Sequence, residues 1–315
     1  MQVSKTVLLM HVILLKVDFN VITTWLSFFI VAFKSKKLQY MLRKLSEFEL
    51  DPSSSRKYQI KIRIVVALLI SENFLNGVMK PLPYSPLRTN CIEVKDNSVC
   101  LLVKTALKGL SFCLYLLFHA KYHAVNEKIR LTLDRRGSWF DGKRLSGKEK
   151  LGHESEEVFR LAAMHHCLYT LLNDTHGMFS LVILIKFTTW FFELTALSFA
   201  AVVYEDEDLW TITKIGMLCK AFLVTGWITA YIVVCGCIRH KATQTGIIIS
   251  EGMLKVKDER VKEELRFFSH QLLHTKIELT AFGFFTLDFG LITSITGVFV
   301  TSLVLLVQIE YSKII

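Results

Sequence analysis

The sequence predicts an all-α polytopic membrane protein, a helical bundle of about six transmembrane helices with long helical extensions into the cytoplasm. Hydrophobic residues make up 52% of its 315 residues, and the mean hydropathy is +0.40. The four prolines all lie at or before Pro86, so the rest of the chain can form long uninterrupted helices. We treat residues 1–315 as a single transmembrane domain.

Six apolar stretches have roughly the 20-residue length that an α-helix needs to cross a bilayer. They lie at residues 8–33, 60–80, 98–120, 177–199, 210–236 and 286–308. The first stretch is too long for a signal peptide and lacks a cleavage pattern, so we interpret it as a span.

The basic residues between the spans predict the orientation of the chain. Lys and Arg number seven in 34–59, ten in 121–173 and eight in 237–285, against two in 81–97 and none in 200–209. Positively charged loops stay in the cytoplasm, so these three basic loops are expected inside and the C-terminus is expected to be extracellular. The net charge of +10 therefore reflects topology, and we expect a lipid bilayer and no nucleic acid as a partner.

The cytoplasmic segments 121–173 and 237–285 are expected to continue the membrane helices. Apolar residues recur at helical spacing over 154–172, and a second charged amphipathic helix is expected over 247–279. Gly283 predicts a break in the helix just before the last span.

The last span carries a stripe of small or hydrogen-bonding residues. Thr301 and Gln308 are seven residues apart, which is two helical turns, so both lie on one face. Ser294, Gly297 and Leu305 extend the same face. In a helix otherwise suited to lipid, such a stripe indicates either close helix packing or the wall of a pore.

The C-terminal third also carries a recognisable motif. Thr301 and Gln308 flank the five apolar residues 303–307, with Ser302 after the threonine and Ile309 after the glutamine. This resembles the closing segment of the insect gustatory receptors, a family of seven-transmembrane chemoreceptor ion channels. In that family a tyrosine and a phenylalanine stand at the positions of Ser302 and Ile309.

The resemblance covers most of the chain from residue 8 onward. It implies a subunit of a ligand-gated cation channel in the plasma membrane, assembled as a homo- or hetero-tetramer with other gustatory receptors around the final helix. It implies a small-molecule tastant as ligand, no cofactor and no enzymatic activity. We count six spans where the family has seven, so the first span is expected to be missing. The identity of the tastant stays open.

The resemblance assigns roles to three residues of the last span. Leu305 is the expected gate and Gln308 the expected outer pore lining, with Thr301 on the same wall. An apolar ring gates by dewetting, and a ring of amides can replace part of an ion's hydration shell. The alternative is that Gln308 forms a hydrogen bond across an ordinary helix interface.

Ionisable residues within the spans mark a candidate ligand site in the outer half of the membrane, where the family places its ligand. Charges are costly in a bilayer and usually face a cavity or a partner. The ligand-binding candidates are Glu72, Lys104, Lys108, Trp190, Glu193, Trp210 and Lys214. Polar groups with aromatic walls suit a small hydroxylated or amphipathic tastant. Snorkelling lysines and structural ion pairs are the alternative interpretation.

Two other classes of protein stay open. His119 and His123, and likewise His270 and His274, are spaced four residues apart near the cytosol, as in the histidine boxes of membrane di-iron desaturases and hydroxylases. The full box is absent. A G-protein-coupled receptor would have its C-terminus inside the cell, opposite to the charge bias.

The seven cysteines show no zinc spacing, so no metal is expected. Cys235 and Cys237 are too close together for a tetrahedral pair. Cys91 and Cys100 share one short loop, and a disulfide between them is open if that loop is extracellular.

Overall fold

The computed structural model describes residues 21–47, 52–79, 98–137, 148–203, 210–256 and 258–312. Its helices are α1 Val21–Phe33, α2 Ser35–Ser46, α3 Pro52–Met79, α4 Ser98–Gly137, α5 Lys148–Val203, α6 Trp210–Lys255, α7 Glu259–His274 and α8 Gly290–Ser312. Within these ranges the chain forms no β-strand beyond an isolated bridge between Thr280 and Thr286. The predicted all-α class is confirmed.

Four of the helices in the described ranges are long and apolar enough to cross a membrane. These segments are Leu102–Asp134 in α4, Ser155–Phe199 in α5, Lys214–Lys255 in α6 and Gly290–Ile309 in α8. They correspond to the last four predicted spans. The first two predicted spans, 8–33 and 60–80, are only partly described, and they stay predictions together with the domain boundaries.

Helices α4, α5 and α6 form the centre of the bundle. α4 packs most extensively against α6, and α5 packs against both. α3 lies on α4 and α6, α2 lies on α5, and α8 lies mainly on α5. Tyr115, Phe179 and Ile232 are fully buried between the central helices. In a bilayer, close packing of this kind, and not removal from water, drives helix association.

The predicted cytoplasmic segments are largely helical, as expected, but one of them is divided. The sequence predicted one amphipathic helix over 247–279, and this prediction is wrong because α6 ends at Lys255 and α7 begins at Glu259. The side chain of Asp258 caps α7, accepting a hydrogen bond of 2.9 Å from the backbone N–H of Arg260. An N-cap of this kind starts a new helix, so α7 is separate from α6.

A tight turn separates α7 from α8 within residues 275–289. Phe282 and Gly283 have φ angles of 51° and 81°, in the left-handed region that favours glycine. The backbone N–H of Leu287 donates to the carbonyl of Leu279 at 2.8 Å and closes the turn. The predicted break at Gly283 is confirmed, and α8 is a separate helix.

Gly252 and Gly246 of α6 provide a test of how closely α6 packs on α4. A Cβ atom on Gly252 would lie 2.6 Å from Cδ1 of Leu133, which is buried, whereas nothing lies within 4 Å of a Cβ on Gly246. Glycine-to-alanine changes in helix interiors ordinarily stabilise by up to about 1 kcal/mol. We expect Gly246→Ala to follow this rule and Gly252→Ala to be about 1–3 kcal/mol less stable than Gly246→Ala, because Leu133 must move. Thermal unfolding in one detergent measures the difference, and equal midpoints would contradict the close contact.

Candidate functional site

Four helices meet around charged side chains that lie inside the predicted spans. This charged cluster consists of Glu72 of α3, Lys104 and Lys108 of α4, Lys186 and Glu193 of α5, and Lys220 of α6. Charges within a membrane protein are retained where they pair with each other or face a polar cavity. Both arrangements occur in this cluster.

Lys108 lies at the centre of the charged cluster and is only 3% exposed. Its Nζ is 2.6 Å and 2.5 Å from the two carboxylate oxygens of Glu72. The same ammonium lies 4.8 Å from the ring centroid of Trp227 and 5.9 Å from that of Trp190. Lys108 is thus held by a charge-assisted hydrogen bond on one side and by cation–π contacts on the other.

The other charges of the cluster are paired unequally. The buried carboxylate of Glu193 is shared by Lys104 at 3.7 Å and Lys220 at 3.4 Å. Lys186 Nζ donates instead to the backbone carbonyl of Leu107 at 3.0 Å and to the hydroxyl of Ser111 at 2.7 Å. Among the described residues, no carboxylate lies within ion-pair distance of Lys186.

A small cavity of about 30 Å³ borders the charged cluster beside α1. It is lined by Thr23, Thr24, Ser27, Lys104, Leu107, Ile185, Lys186, Thr189 and Trp190. A single water molecule needs a cavity volume of about 10–15 Å³, so this cavity admits one small group. Drug-sized ligands occupy pockets of roughly 300–1,000 Å³, so only part of such a ligand would fit into this cavity.

The structure brings together most of the predicted ligand-binding candidates. Glu72, Lys104, Lys108, Trp190 and Glu193 lie in or against the charged cluster. Lys214 lies nearer the start of α6, six residues before Lys220. Trp210 is the first residue of α6, and its side chain lies outside the described residues. That these residues bind a ligand stays a prediction.

Sequence reasoning missed three residues that the structure places at this site, namely Lys186, Lys220 and Trp227. Lys186 and Lys220 are charged residues within predicted spans. A charge in a span indicates a residue that pairs with a partner or faces a cavity. Trp227 lies in an apolar run of α6 and carries no signal of its own, since its role depends on which way its helix faces.

Aromatic rings connect the charged cluster with the turn that precedes α8. The ring centroid of Trp190 lies 6.0 Å from that of Tyr231, and the ring of Phe187 lies 6.2 Å from Tyr231. Phe187 in turn lies 5.8 Å from Phe285, which belongs to the turn. Contacts between aromatic rings at such distances are stabilising. A continuous line of rings therefore runs from the cluster to the start of α8.

His176 of α5 fastens the same turn to the bundle. Its Nδ1 lies 2.8 Å from the hydroxyl of Tyr115 in α4. Its Nε2 lies 2.9 Å from the backbone nitrogen and 2.8 Å from the backbone oxygen of Thr280. One imidazole thus links two central helices with the turn that positions α8.

Helix α8 turns one face to its own bundle and the opposite face away. The inner face includes Ile292, Ile295, Phe299, Leu303 and Leu306, which pack against the core. The exposed residues of the opposite face include the predicted stripe, Ser294, Gly297, Thr301, Leu305 and Gln308. The Thr301 hydroxyl donates to the carbonyl of Gly297 at 3.0 Å, but the Gln308 amide makes no hydrogen bond with any described residue. The pore roles of Thr301, Leu305 and Gln308 stay predictions.

The histidine pairs have few further ligands around them. His270 and His274 have ring centroids 5.0 Å apart, and His123 lies 3.9 Å from Glu127. In the described ranges, no three His, Cys, Asp or Glu side chains lie close enough to hold a metal ion. The di-iron alternative gains no support from these residues. Cys91 and the side chain of Cys100 lie outside the described residues, so their disulfide stays untested.

The fold and the site define a polytopic helical membrane protein with a polar site inside its bundle. Residues 5–313 match the family model described as "7tm Chemosensory receptor", and the chain belongs to this family. Over 68 residues it is 43% identical to "Putative gustatory receptor 28b" of Drosophila melanogaster. That segment is 22% of this chain and 14% of the length of the relative. The resemblance found in the sequence is confirmed.

Two solved structures share the fold. The insect olfactory receptor OR5 from Machilis hrabei has a TM-score of 0.68 and 14% identity, with 93% of this chain and 80% of that chain covered. The same receptor in complex with eugenol has a TM-score of 0.71 and 14% identity, with 96% and 81% covered. At this identity the likeness establishes the fold alone.

Removing one charge of the Lys108 and Glu72 pair while the other stays buried is expected to cost stability. Lys108→Met leaves the Glu72 carboxylate inside the bundle without its ammonium, which should cost about 3–5 kcal/mol of unfolding free energy. Combining Lys108→Met with Glu72→Gln should recover much of this loss, because no uncompensated charge remains. Thermal unfolding in lipid nanodiscs measures both variants.

The exposed ion pair of Lys37 and Asp174, at 3.0 Å, provides the control for this experiment. Lys37→Met should cost no more than about 1 kcal/mol. Equal stability of the Lys108→Met variant and the double variant would contradict an important role of the buried pair.

Proposed function

We propose that the chain is a gustatory chemoreceptor, a subunit of a ligand-gated cation channel that detects a small tastant at the plasma membrane. Membership of the chemosensory receptor family and the segment shared with a protein named as a gustatory receptor support this function. The observation that carries the channel proposal is the orientation of α8. Its polar stripe faces away from the bundle that the helix packs on.

An exposed amide on an apolar membrane helix needs water or a partner. If four subunits, identical or mixed, placed their α8 helices around one axis, Leu305 and Gln308 would face a shared path. The apolar Leu305 would close it by dewetting, and the Gln308 amides would replace water around a passing cation. The exposure of Leu305 (53%) in the single chain fits this assembly.

The charged cluster is the proposed ligand site. A tastant entering beside α1 would displace Trp190, which lines the small cavity and touches Tyr231. Phe187 and Phe285 would transmit this movement to the turn before α8. Coupling of this kind needs a physical element that both sites bias, and we propose the turn fastened by His176 for this role.

Substitutions in the stripe test the pore. Gln308→Leu should lower the single-channel conductance and change the permeability ratio of Na⁺ to K⁺, because the amide no longer contacts the ion. Leu305→Ser should raise the basal current, because the closed path is wetted. Single-channel recording measures the conductance, and whole-cell recording with a panel of sugars, organic acids and bitter compounds measures the permeability ratio and the basal current.

Val300→Ala is the matched control, since Val300 is 51% exposed on α8 but lies off the stripe. It should leave conductance and basal current unchanged. Wild-type behaviour of both stripe variants at normal surface expression would exclude these residues from the pore. A surface-expressed wild type that gives no current with any compound would contradict the channel function.

The proposed orientation predicts an extracellular C-terminus. An epitope added after Ile315 should be labelled on intact cells, because the basic loops hold the chain in this orientation. A second epitope in the basic segment 138–147 should be labelled only after permeabilisation. The reverse pattern would overturn the orientation and favour a G-protein-coupled receptor.

A further inference from the structure

The small cavity beside α1 has a lining of hydrogen-bond donors and cations. Lys186 supplies one ammonium group, Lys104 supplies a second that also lies 3.7 Å from the Glu193 carboxylate, and Thr23, Thr24, Ser27 and Thr189 supply hydroxyls. The remaining lining residues are apolar or aromatic, and none is a carboxylate. A cavity with this chemistry is electrostatically suited to an anion.

Lys186 is the ammonium least well neutralised. An ammonium group has three donors, and two of them are used by the neutral acceptors Leu107 O and Ser111 Oγ. Within the described residues no acceptor takes the third. Neutral acceptors alone leave the charge of a membrane-embedded lysine uncompensated, so a negative charge in the adjacent cavity would stabilise it.

Ser27 gives a second, independent indication. It is 4% exposed and lines the cavity, yet its hydroxyl makes no hydrogen bond with any described residue. Buried polar groups nearly always have a partner. The unused donor of Ser27 and the unused donor of Lys186 therefore border the same space.

We propose that this cavity binds a small anion, either the carboxylate of a small organic acid or a free chloride ion, held by Lys186, Lys104 and Ser27. The volume of about 30 Å³ admits a group of this size. Trp190 forms an aromatic wall beside it. The proposal rests on the proposed function only for the source of the carboxylate. In a taste receptor, that source is the tastant.

The test measures binding directly and does not need channel activity. The full chain in phosphatidylcholine nanodiscs is heated in sodium acetate or sodium chloride, with total sodium kept constant by sodium gluconate, whose anion is much larger than acetate or chloride. The unfolding midpoint should rise in a saturable way with acetate, with chloride or with both. Methyl acetate, the uncharged analogue, should give no rise.

Variants assign the effect to the cavity. Lys186→Met should abolish the rise, and Lys186→Arg, which keeps the charge, should retain it. Ser27→Ala should weaken the affinity about tenfold, as expected for one hydrogen bond to a charged group. Lys36→Met removes an exposed charge in α2 and should behave like the wild type. If Lys186→Met does not fold, the Ser27→Ala variant decides.

A rise with acetate alone identifies a carboxylate site, and an equal rise with chloride identifies a site for a free anion. No saturable rise in the wild type, an equal rise with methyl acetate, or an undiminished rise in Lys186→Met and Ser27→Ala would overturn the proposal. An anion-dependent rise in a protein that gives no current would leave the anion site standing and reject the channel. Tastant-evoked currents without any anion-dependent rise would leave the channel standing and reject the anion site.

Discussion

The ion pair between Lys108 and Glu72 is the interaction on which the arrangement of the bundle depends. Helix α3 contributes little apolar packing, since Val65 alone is buried among its side chains at 55–73. Three polar contacts hold it instead: Lys108 with Glu72, Thr105 with Asn73, and Tyr58 with the carbonyl of Cys113. In lipid such contacts have no competition from bulk water, and an unpaired charge is costly. The pair therefore fixes α3 on α4 and holds Lys108 at the centre of the cluster.

The position of α8 also depends on packing that begins at Lys108. Lys108 packs against Trp190, and the rings of Tyr231, Phe187 and Phe285 continue that packing to the turn before α8. The last span has a single packed face and is otherwise exposed, so the turn determines much of its placement. Packed side chains thus connect the charged cluster, which depends on ion pairs, with α8, the helix that carries the polar stripe.

The sequence predicted the features that depend on local spacing. The stripe on α8 and the break at Gly283 both follow from helical periodicity or backbone preference. The charge of Lys186 within a span was visible in the sequence, but its contacts with Leu107 and Ser111 could not be predicted, because they depend on how α4 and α5 face each other. The break after Lys255 was missed because the amphipathic pattern continues across it, and Asp258 looks like any other charged residue of a cytoplasmic helix.

The net charge of the charged cluster indicates that the two proposed functions, ligand binding and cation permeation, belong to different parts of the chain. Four lysines and two glutamates give this site a positive potential, which would repel a permeating cation. The described span 290–309 of α8, in contrast, carries no charged residue, and its amide and hydroxyls can coordinate a cation without trapping it. The proposed cation path along α8 and the proposed anion site among α1, α4 and α5 are compatible because they lie on different helices. Under these proposals, ligand chemistry can change without altering the pore, provided that the turn between α7 and α8 still connects them.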